Sequence, residues 1–229
     1  MVQAYIFPGQ GSQFVGMGAE AHDRYPSVQQ RFGQARDILG FEIQKVMFEG
    51  PVEKLQQTSI AQPAIYIYSV ALAEALNIGV NAKMVAGHSL GAYSALAATG
   101  VLSFEEGLRL VNVRAHAMKR ACERRKGAMA AIIGPSHSEV EHTCRGLPEV
   151  WLANYNCPGQ VVISGCADSV DSAISLLQKQ GARLAKRLAV EGAFHSPYMD
   201  EAIPALEEAV LASRFRKPSY SFYPDNGSP

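Results

Sequence analysis

The stretch from residue 84 to residue 100, Met-Val-Ala-Gly-His-Ser-Leu-Gly-Ala-Tyr-Ser-Ala-Leu-Ala-Ala-Thr-Gly, limits what this chain can fold into more than any other. A short apolar run, Met84 to Ala86, passes through Gly87-His88-Ser89-Leu90-Gly91 into an alanine- and leucine-rich segment of helical composition. The pattern predicts a strand, a sharp turn and a helix. Such a turn is so tight that side chains larger than hydrogen two positions either side of the serine collide, which is the mechanical reason for glycine at 87 and 91. Ser89 is then pushed out at the end of the strand, with its hydroxyl at the mouth of the helix. Unpaired backbone N–H groups and the positive end of the helix dipole gather there, and both stabilise an oxyanion. The stretch carries the marks of a nucleophile elbow for serine acyl transfer. The plainer alternative is a glycine-flanked helix start with Ser89 as its N-cap.

Composition removes several competing classes. At 229 residues the chain can bury one large core, or a large one and a small one. Lys and Arg number 21 and so do Asp and Glu, so no global field draws nucleic acid or an anionic membrane. Cys122, Cys144, Cys157 and Cys166 show no CxxC pairing and no regular spacing, so reduced thiols are expected rather than a disulfide framework or a zinc site. His137, His142 and Cys144 match no metal signature and read as a solvated helix face; no metal is expected. Met1 to Tyr5 lacks a basic leader, Pro8-Gly9 arrives before any apolar leader core, and no apolar run approaches membrane-spanning length. The expected compartment is the cytoplasm.

Ala4 to Phe7 reads as a short strand stopped by Pro8-Gly9-Gln10-Gly11-Ser12-Gln13, a tight loop without the spacing of a phosphate-binding fingerprint. Gln10 and Gln13 lie on backbone that can approach a ligand closely, and an amide or N–H from this loop can serve as the second oxyanion donor that chemistry at Ser89 requires. A helix is predicted from Pro26 to Leu39 with Gly40 as its stop, and a shorter one from Pro51. A buried helix is predicted from Gln62 to about Leu76, with Gln62 at its N-terminal edge as a cap or a cavity-lining group. Ser103 and Glu106 form a capping box, opening a helix whose apolar face is Leu108, Val111, Ala115 and Met118. Arg114 falls beside that face. It reads either as a surface arginine with a buried stem or as the ligand for a substrate carboxylate, which a guanidinium binds with two parallel hydrogen bonds.

Beyond Gly127 the predicted order is strand (128–133), helix (135–145), strand (150–155), strand (160–164), helix (167–180) and strand (183–190). That is the βαββαβ order of a ferredoxin-like unit. The chain returns at Glu191-Gly192-Ala193-Phe194-His195-Ser196-Pro197, which puts His195 at a strand-to-helix junction, the same kind of address as Ser89. A last helix, 197–212, a strand, 220–223, and a turn-forming end complete the reading.

Together these residues resemble the malonyl-CoA:acyl carrier protein transacylase family and the acyltransferase domains of polyketide synthases. The resemblance runs through Phe7-Pro8-Gly9-Gln10-Gly11-Ser12-Gln13, Gln62-Pro63-Ala64, Gly87-His88-Ser89-Leu90-Gly91, Arg114, Asn156-Cys157-Pro158-Gly159-Gln160-Val161-Val162 and Gly192-Ala193-Phe194-His195-Ser196-Pro197. It implies an α/β fold, an α/β-hydrolase-like core (1–125 and 192–229) with an inserted ferredoxin-like subdomain (126–191). It also implies Ser89 as nucleophile, His195 as general base, Gln10 with the backbone N–H of Leu90 as oxyanion hole, and Arg114 on the malonyl carboxylate. Gln62 and Asn156 would line the pocket, and Phe194 would crowd an α-methyl. His88 looks like a supporting group. The implied reaction moves malonyl from malonyl-CoA to the phosphopantetheine thiol of an acyl carrier protein, in fatty acid or polyketide synthesis, with no cofactor, metal, nucleic acid or membrane.

Two departures stand out. The family usually continues the elbow as Gly-Glu, whereas Ala92 follows Gly91 here. It also continues past the position of Pro229, with a segment that helps orient the histidine, and no Asp or Glu in this chain announces itself as a third triad member. Two other readings stay open at this point. One is an acyl-thioester hydrolase, which would gain nothing from a buried guanidinium. The other is a truncated fold that docks carrier proteins, with Arg183, Lys186 and Arg187 meeting an acidic partner or forming an ordinary charged surface.

Overall fold

The computed structural model describes residues 3–78, 82–219 and 221–224. In chain order the elements are β1 (Gln3–Phe7), α1 (Ala19–Arg24), α2 (Pro26–Leu39), α3 (Ile43–Glu49), α4 (Val52–Gln56), α5 (Thr58–Ala75), β2 (Ala82–Gly87), α6 (Gly91–Ala98) and α7 (Phe104–Arg124). They continue as β3 (Ala128–Ile133), α8 (His137–Arg145), β4 (Val150–Cys157), β5 (Gln160–Gly165), α9 (Ala167–Lys179), β6 (Leu184–Arg187), a 3₁₀ turn (Pro197–Ala202), α10 (Ile203–Ala212) and β7 (Ser221–Tyr223). The fold is mixed α/β with two sheets. The chain divides into two compact units, Met1–His116 with Ala205–Pro229, and Ala117–Pro204. Tyr220 and residues 225–229, part of the expected final strand and turn, lie outside the described residues, as do Met1 and Val2.

In the first unit β1, β2 and β7 form a parallel sheet with β2 in the middle. Phe7 pairs with Gly87, and the His88 N–H carries the ladder one residue further onto the Phe7 carbonyl at 3.0 Å. Parallel pairing puts the carboxyl ends of β1 and β2 side by side, so the Pro8–Gln10 loop and the Ser89 turn emerge at one edge. That is where open parallel sheets hold ligands. Phe7, Ala73, Val85 and Ala95 pack around the sheet, and the larger core gathers Phe32, Met47, Leu55, Ile65, Tyr66, Leu90 and Leu108. The Tyr66 hydroxyl donates to the Phe104 carbonyl at 3.0 Å inside that core, and burial drives its pKa far upward.

α5 starts at Thr58, four residues ahead of the sequence expectation, and Pro63 lies inside it. Gln62 is therefore one turn into the helix and fully buried, not at its edge. Proline is commonest in the first turn of a helix, which favours a start at Gln62; here the buried segment Thr58–Ala61 extends the helix in front of it. The Ser103–Glu106 capping box forms as expected, with Ser103 Oγ accepting from the Glu106 N–H at 3.1 Å and Glu106 accepting from the Ser103 N–H at 3.3 Å. The expected 197–212 helix is split instead. Pro204 has no N–H to return to Asp200, so the chain before it winds as a 3₁₀ turn and α10 begins at Ile203. α1 and α3 carry too few residues for the periodic pattern that revealed the longer helices.

In the second unit β4, β5, β3 and β6 form an antiparallel sheet in that order, with α8 and α9 packed on it. Its core holds Ala130, Ile132, Val140, Cys144, Ile163, Val170, Ala173 and Leu177. Cys144 is thus a core residue and not part of a solvated face. β6 ends at Arg187, three residues short of the expectation, after a last bond from the Leu188 N–H to the Met129 carbonyl at 2.9 Å.

Candidate active site

The turn after β2 has the strain its sequence implies. Ser89 sits at φ 52°, in the left-handed region that costs a non-glycine residue energy. A Cβ on Gly87 would run into the backbone of Gly91 and Ala92, and one on Gly91 into the backbone of Phe7 and Pro8. Gly87→Ala is therefore expected to cost on the order of 3 kcal/mol or more, because the obstacle is backbone that cannot rotate away. A thermal or urea melt checks it; unchanged stability would mean the turn is wider than described.

At the mouth of α6, the N–H groups of Gly91, Ala92 and Tyr93 bond the carbonyls of His88, Ser89 and Leu90 at 2.9, 3.1 and 3.0 Å. The Leu90 N–H, one residue ahead, makes no such backbone bond among the described residues. No acidic residue occupies the first turn of α6, where Ala92 stands.

A single polar chain reaches Ser89 from three other segments. Arg114 on α7 donates through Nη2 to Ser89 Oγ at 3.0 Å and through Nη1 to Gln62 Oε1 at 2.6 Å. Gln62 Nε2 donates to Gln10 Oε1 at 3.3 Å, and Gln10 Nε2 donates to Thr58 Oγ1 at 3.3 Å. The guanidinium carbon also lies 5.8 Å from the centre of the Tyr93 ring, within cation–π range. The structure thus brings together four of the expected site residues, Gln10, Gln62, Ser89 and Arg114, with Leu90 next in chain. Thr58 and Tyr93 were missed by the sequence reasoning. Both were within its reach: each lies four residues before or after a singled-out residue, Gln62 and Ser89, one helical turn away.

His195, Phe194 and Asn156 belong to the second unit. His195 also has a left-handed backbone, φ 56°, so Ser89 and His195 are two of four non-glycine residues with positive φ among those described. Its loop is fixed locally. Ser196 Oγ donates to the Ala193 carbonyl at 2.6 Å and accepts from the Tyr198 N–H at 3.3 Å, while Gly192 lies against the Cys122 side chain. Burial, with Glu191 nearby, pushes the Cys122 thiol up to about 11, so it is a packing group rather than a nucleophile. Phe194 is buried; His195 and Asn156 are exposed within the described chain. Asn156 is the extra residue of a bulge, opposite the Val161–Gln160 step, a device that re-aims a side chain.

Tyr198, three residues beyond His195, is clamped. Its hydroxyl donates to Glu149 Oε2 at 3.0 Å, Arg125 pairs with the other oxygen of Glu149 and stacks 3.8 Å from the Tyr198 ring centre, and Trp151 meets that ring edge-on. Hydrogen bonds from Arg125 and Tyr198 hold the Glu149 carboxyl below its ordinary value of 4.5. Because the folded form binds its proton later than the unfolded chain, this contribution is present above about pH 4.5 and is lost as pH falls through the lowered value. Thermal melts from pH 6 to pH 3 are expected to fall more steeply for the wild type than for Glu149→Gln; parallel curves would remove the clamp from the acid response.

Arg187, read as a cation that could meet an acidic partner, is occupied. It forks onto Asp171 at 2.6 and 2.7 Å and donates to the Ala167 carbonyl at 3.0 Å. Among the described residues no three His, Cys, Asp or Glu lie close enough to hold a metal, and no helix is long and apolar enough to cross a membrane.

Comparison with known proteins places these observations. Residues 4–225 match the family model described as acyl transferase domain. The malonyl CoA-acyl carrier protein transacylase of Bacillus subtilis is 42% identical over 214 residues, covering 91% of this chain and 68% of the relative. The Coxiella burnetii malonyl CoA-acyl carrier protein transacylase structure superposes with a TM-score of 0.91 at 37% identity, over 96% of this chain and 71% of that one. A malonyl-transacylase solved in complex with its type II PKS acyl-carrier protein gives 0.92 at 35% identity, over 97% of this chain and 74% of that one. With its elbow serine bonded to an arginine and the match spanning almost every described element, the chain belongs to the malonyl CoA-acyl carrier protein transacylase family of acyl transferase domains.

Proposed function

We propose that this chain moves a malonyl group from malonyl-CoA to the phosphopantetheine thiol of an acyl carrier protein, in fatty acid or polyketide synthesis, through a malonyl ester on Ser89. The observation that carries the reading is the 3.0 Å bond from Arg114 to Ser89 Oγ. It puts a permanent positive charge one side chain from the nucleophile, which suits an acyl group ending in a carboxylate and serves no purpose for an uncharged one.

In this mechanism His195 takes the Ser89 proton while Oγ adds to the thioester carbonyl carbon. The oxyanion is held by Gln10 and the backbone N–H of Leu90. One Gln10 side-chain N–H is engaged with Thr58, which leaves its backbone N–H or its second amide N–H for the oxyanion. The C–S bond breaks, the proton passes from His195 to the departing CoA sulfur, and malonyl-Ser89 remains. The carrier thiol then adds in the same way, and Ser89 leaves with its proton restored. Arg114 holds the malonyl carboxylate, Gln62 and Asn156 line the pocket, and Phe194 crowds an α-methyl. One methyl is typically worth only about 1–3 kcal/mol of discrimination, so methylmalonyl-CoA is disfavoured rather than refused. The steps draw on the chain's own groups and call for no metal or cofactor.

We also read residues 1–125 and 192–229 as an α/β-hydrolase-like core and residues 126–191 as a ferredoxin-like subdomain. The parallel sheet with an elbow after its middle strand supports the first, and the βαββαβ order of β3 to β6 the second. The four free cysteines suit the cytoplasm.

Steady-state kinetics with malonyl-CoA and a phosphopantetheinylated carrier protein test the function. Parallel double-reciprocal lines and malonyl-carrier product are expected, from a ping-pong cycle. Free malonate as the main product would turn the assignment to a hydrolase.

A further inference from the structure

An arginine can only donate hydrogen bonds, and that fixes every orientation in the chain of amides behind it. Gln62 must turn Oε1 to Arg114, which aims its Nε2 at Gln10; Gln10 must then present Oε1, which aims its own Nε2 at Thr58. The relay runs one way, Arg114 to Gln62 to Gln10 to Thr58, where Thr58 Oγ1 accepts from Gln10 Nε2. Gln62 and Thr58 are fully buried, and both come from α5 one turn apart. At one end of the relay lies the cation proposed for the carboxylate; at the other lies the side chain of the oxyanion loop.

We propose that Thr58 is a positioning residue that locks the Gln10 loop through this relay, so that engagement of a carboxylate at Arg114 sharpens the oxyanion site. The inference rests on reading Ser89, Gln10 and Arg114 as the malonyl-transfer site. Neighbouring hydrogen bonds in such a chain polarise one another, so a carboxylate drawing on Arg114 alters the bonds behind it. Selectivity for malonyl is then expressed in turnover as well as in binding. A substrate that lacks the carboxylate does not use the relay.

The test compares Thr58→Val, which keeps the shape and removes the acceptor, with Thr58→Ser, which keeps the acceptor, using malonyl-CoA and acetyl-CoA as donors and a melting curve for each variant. Thr58→Val is expected to lower kcat with malonyl-CoA about tenfold, with KM changed less than about twofold, and to cut the malonyl-to-acetyl ratio several-fold. Thr58→Ser is expected to restore both. A folded Thr58→Val with unchanged kcat and ratio overturns the proposal, and so does equal impairment of the two variants with only the melting temperature lowered. Should Thr58→Val not fold, Thr58→Cys, a weak acceptor, is set against Thr58→Ser; equal kinetics overturn the proposal. A wild type that transfers no malonyl overturns the site reading itself, whereas an active wild type with an unaffected Thr58→Val removes the relay alone.

Discussion

His195→Ala is expected to slow acylation of Ser89 by malonyl-CoA about 10²–10⁴-fold, the usual contribution of a positioned general base. A serine hydroxyl is a weak nucleophile until its proton has somewhere to go, and we propose His195 as the acceptor. Its backbone is held at φ 56° by the Ser196 bonds to Ala193 and Tyr198, an arrangement that costs energy and persists only because its surroundings enforce it. Rapid-quench measurement of acyl-enzyme formation reads the effect. The variant should also lose the pH dependence that an imidazole base confers. Acylation at the wild-type rate would take the base role away from His195.

Arg114→Ala is expected to reduce kcat/KM for malonyl-CoA roughly 30- to 1000-fold, equivalent to about 2–4 kcal/mol, and to leave acetyl-CoA within a few-fold of its wild-type value. Two losses add for malonyl. The carboxylate gives up a bidentate cation, and Gln62, fully buried, loses the bond from Arg114. Acetyl suffers only the second. Arg114→Lys is expected to recover a part of the malonyl activity, because an ammonium keeps the charge and cannot reach Gln62 and Ser89 together as the planar fork does. Competition kinetics with both donors measure the ratio. An unchanged ratio would assign Arg114 to structure alone.

Much of this was legible in the residues, for physical reasons that differ from place to place. The elbow could be read because two glycines flank a serine at fixed spacing between an apolar run and a helical one, and Gly87 and Gly91 do lie where a Cβ would strike backbone. The capping box at Ser103 and the strands of the second unit were equally local and equally plain. What stayed hidden was set by tertiary packing. The start of α5 at Thr58 depends on a buried segment that proline at position 63 masks in sequence, and with it went the buried position of Gln62 and the role of Thr58. Arg114 illustrates the limit most sharply: helical periodicity places it at the margin of an apolar face, and only the fold brings that margin to Ser89. Arg187 shows the reverse, since its charge is plain in the sequence and its fork onto Asp171, sixteen residues away, is not.

Intact-mass spectrometry after brief exposure to malonyl-CoA, followed by peptide mapping, reports directly on whether Ser89 carries the acyl group. One malonyl adduct is predicted, located on the peptide that contains Ser89, discharged by the carrier thiol and missing from Ser89→Ala. Turnover by a wild type that never shows the adduct, or an adduct that survives in Ser89→Ala, would contradict it.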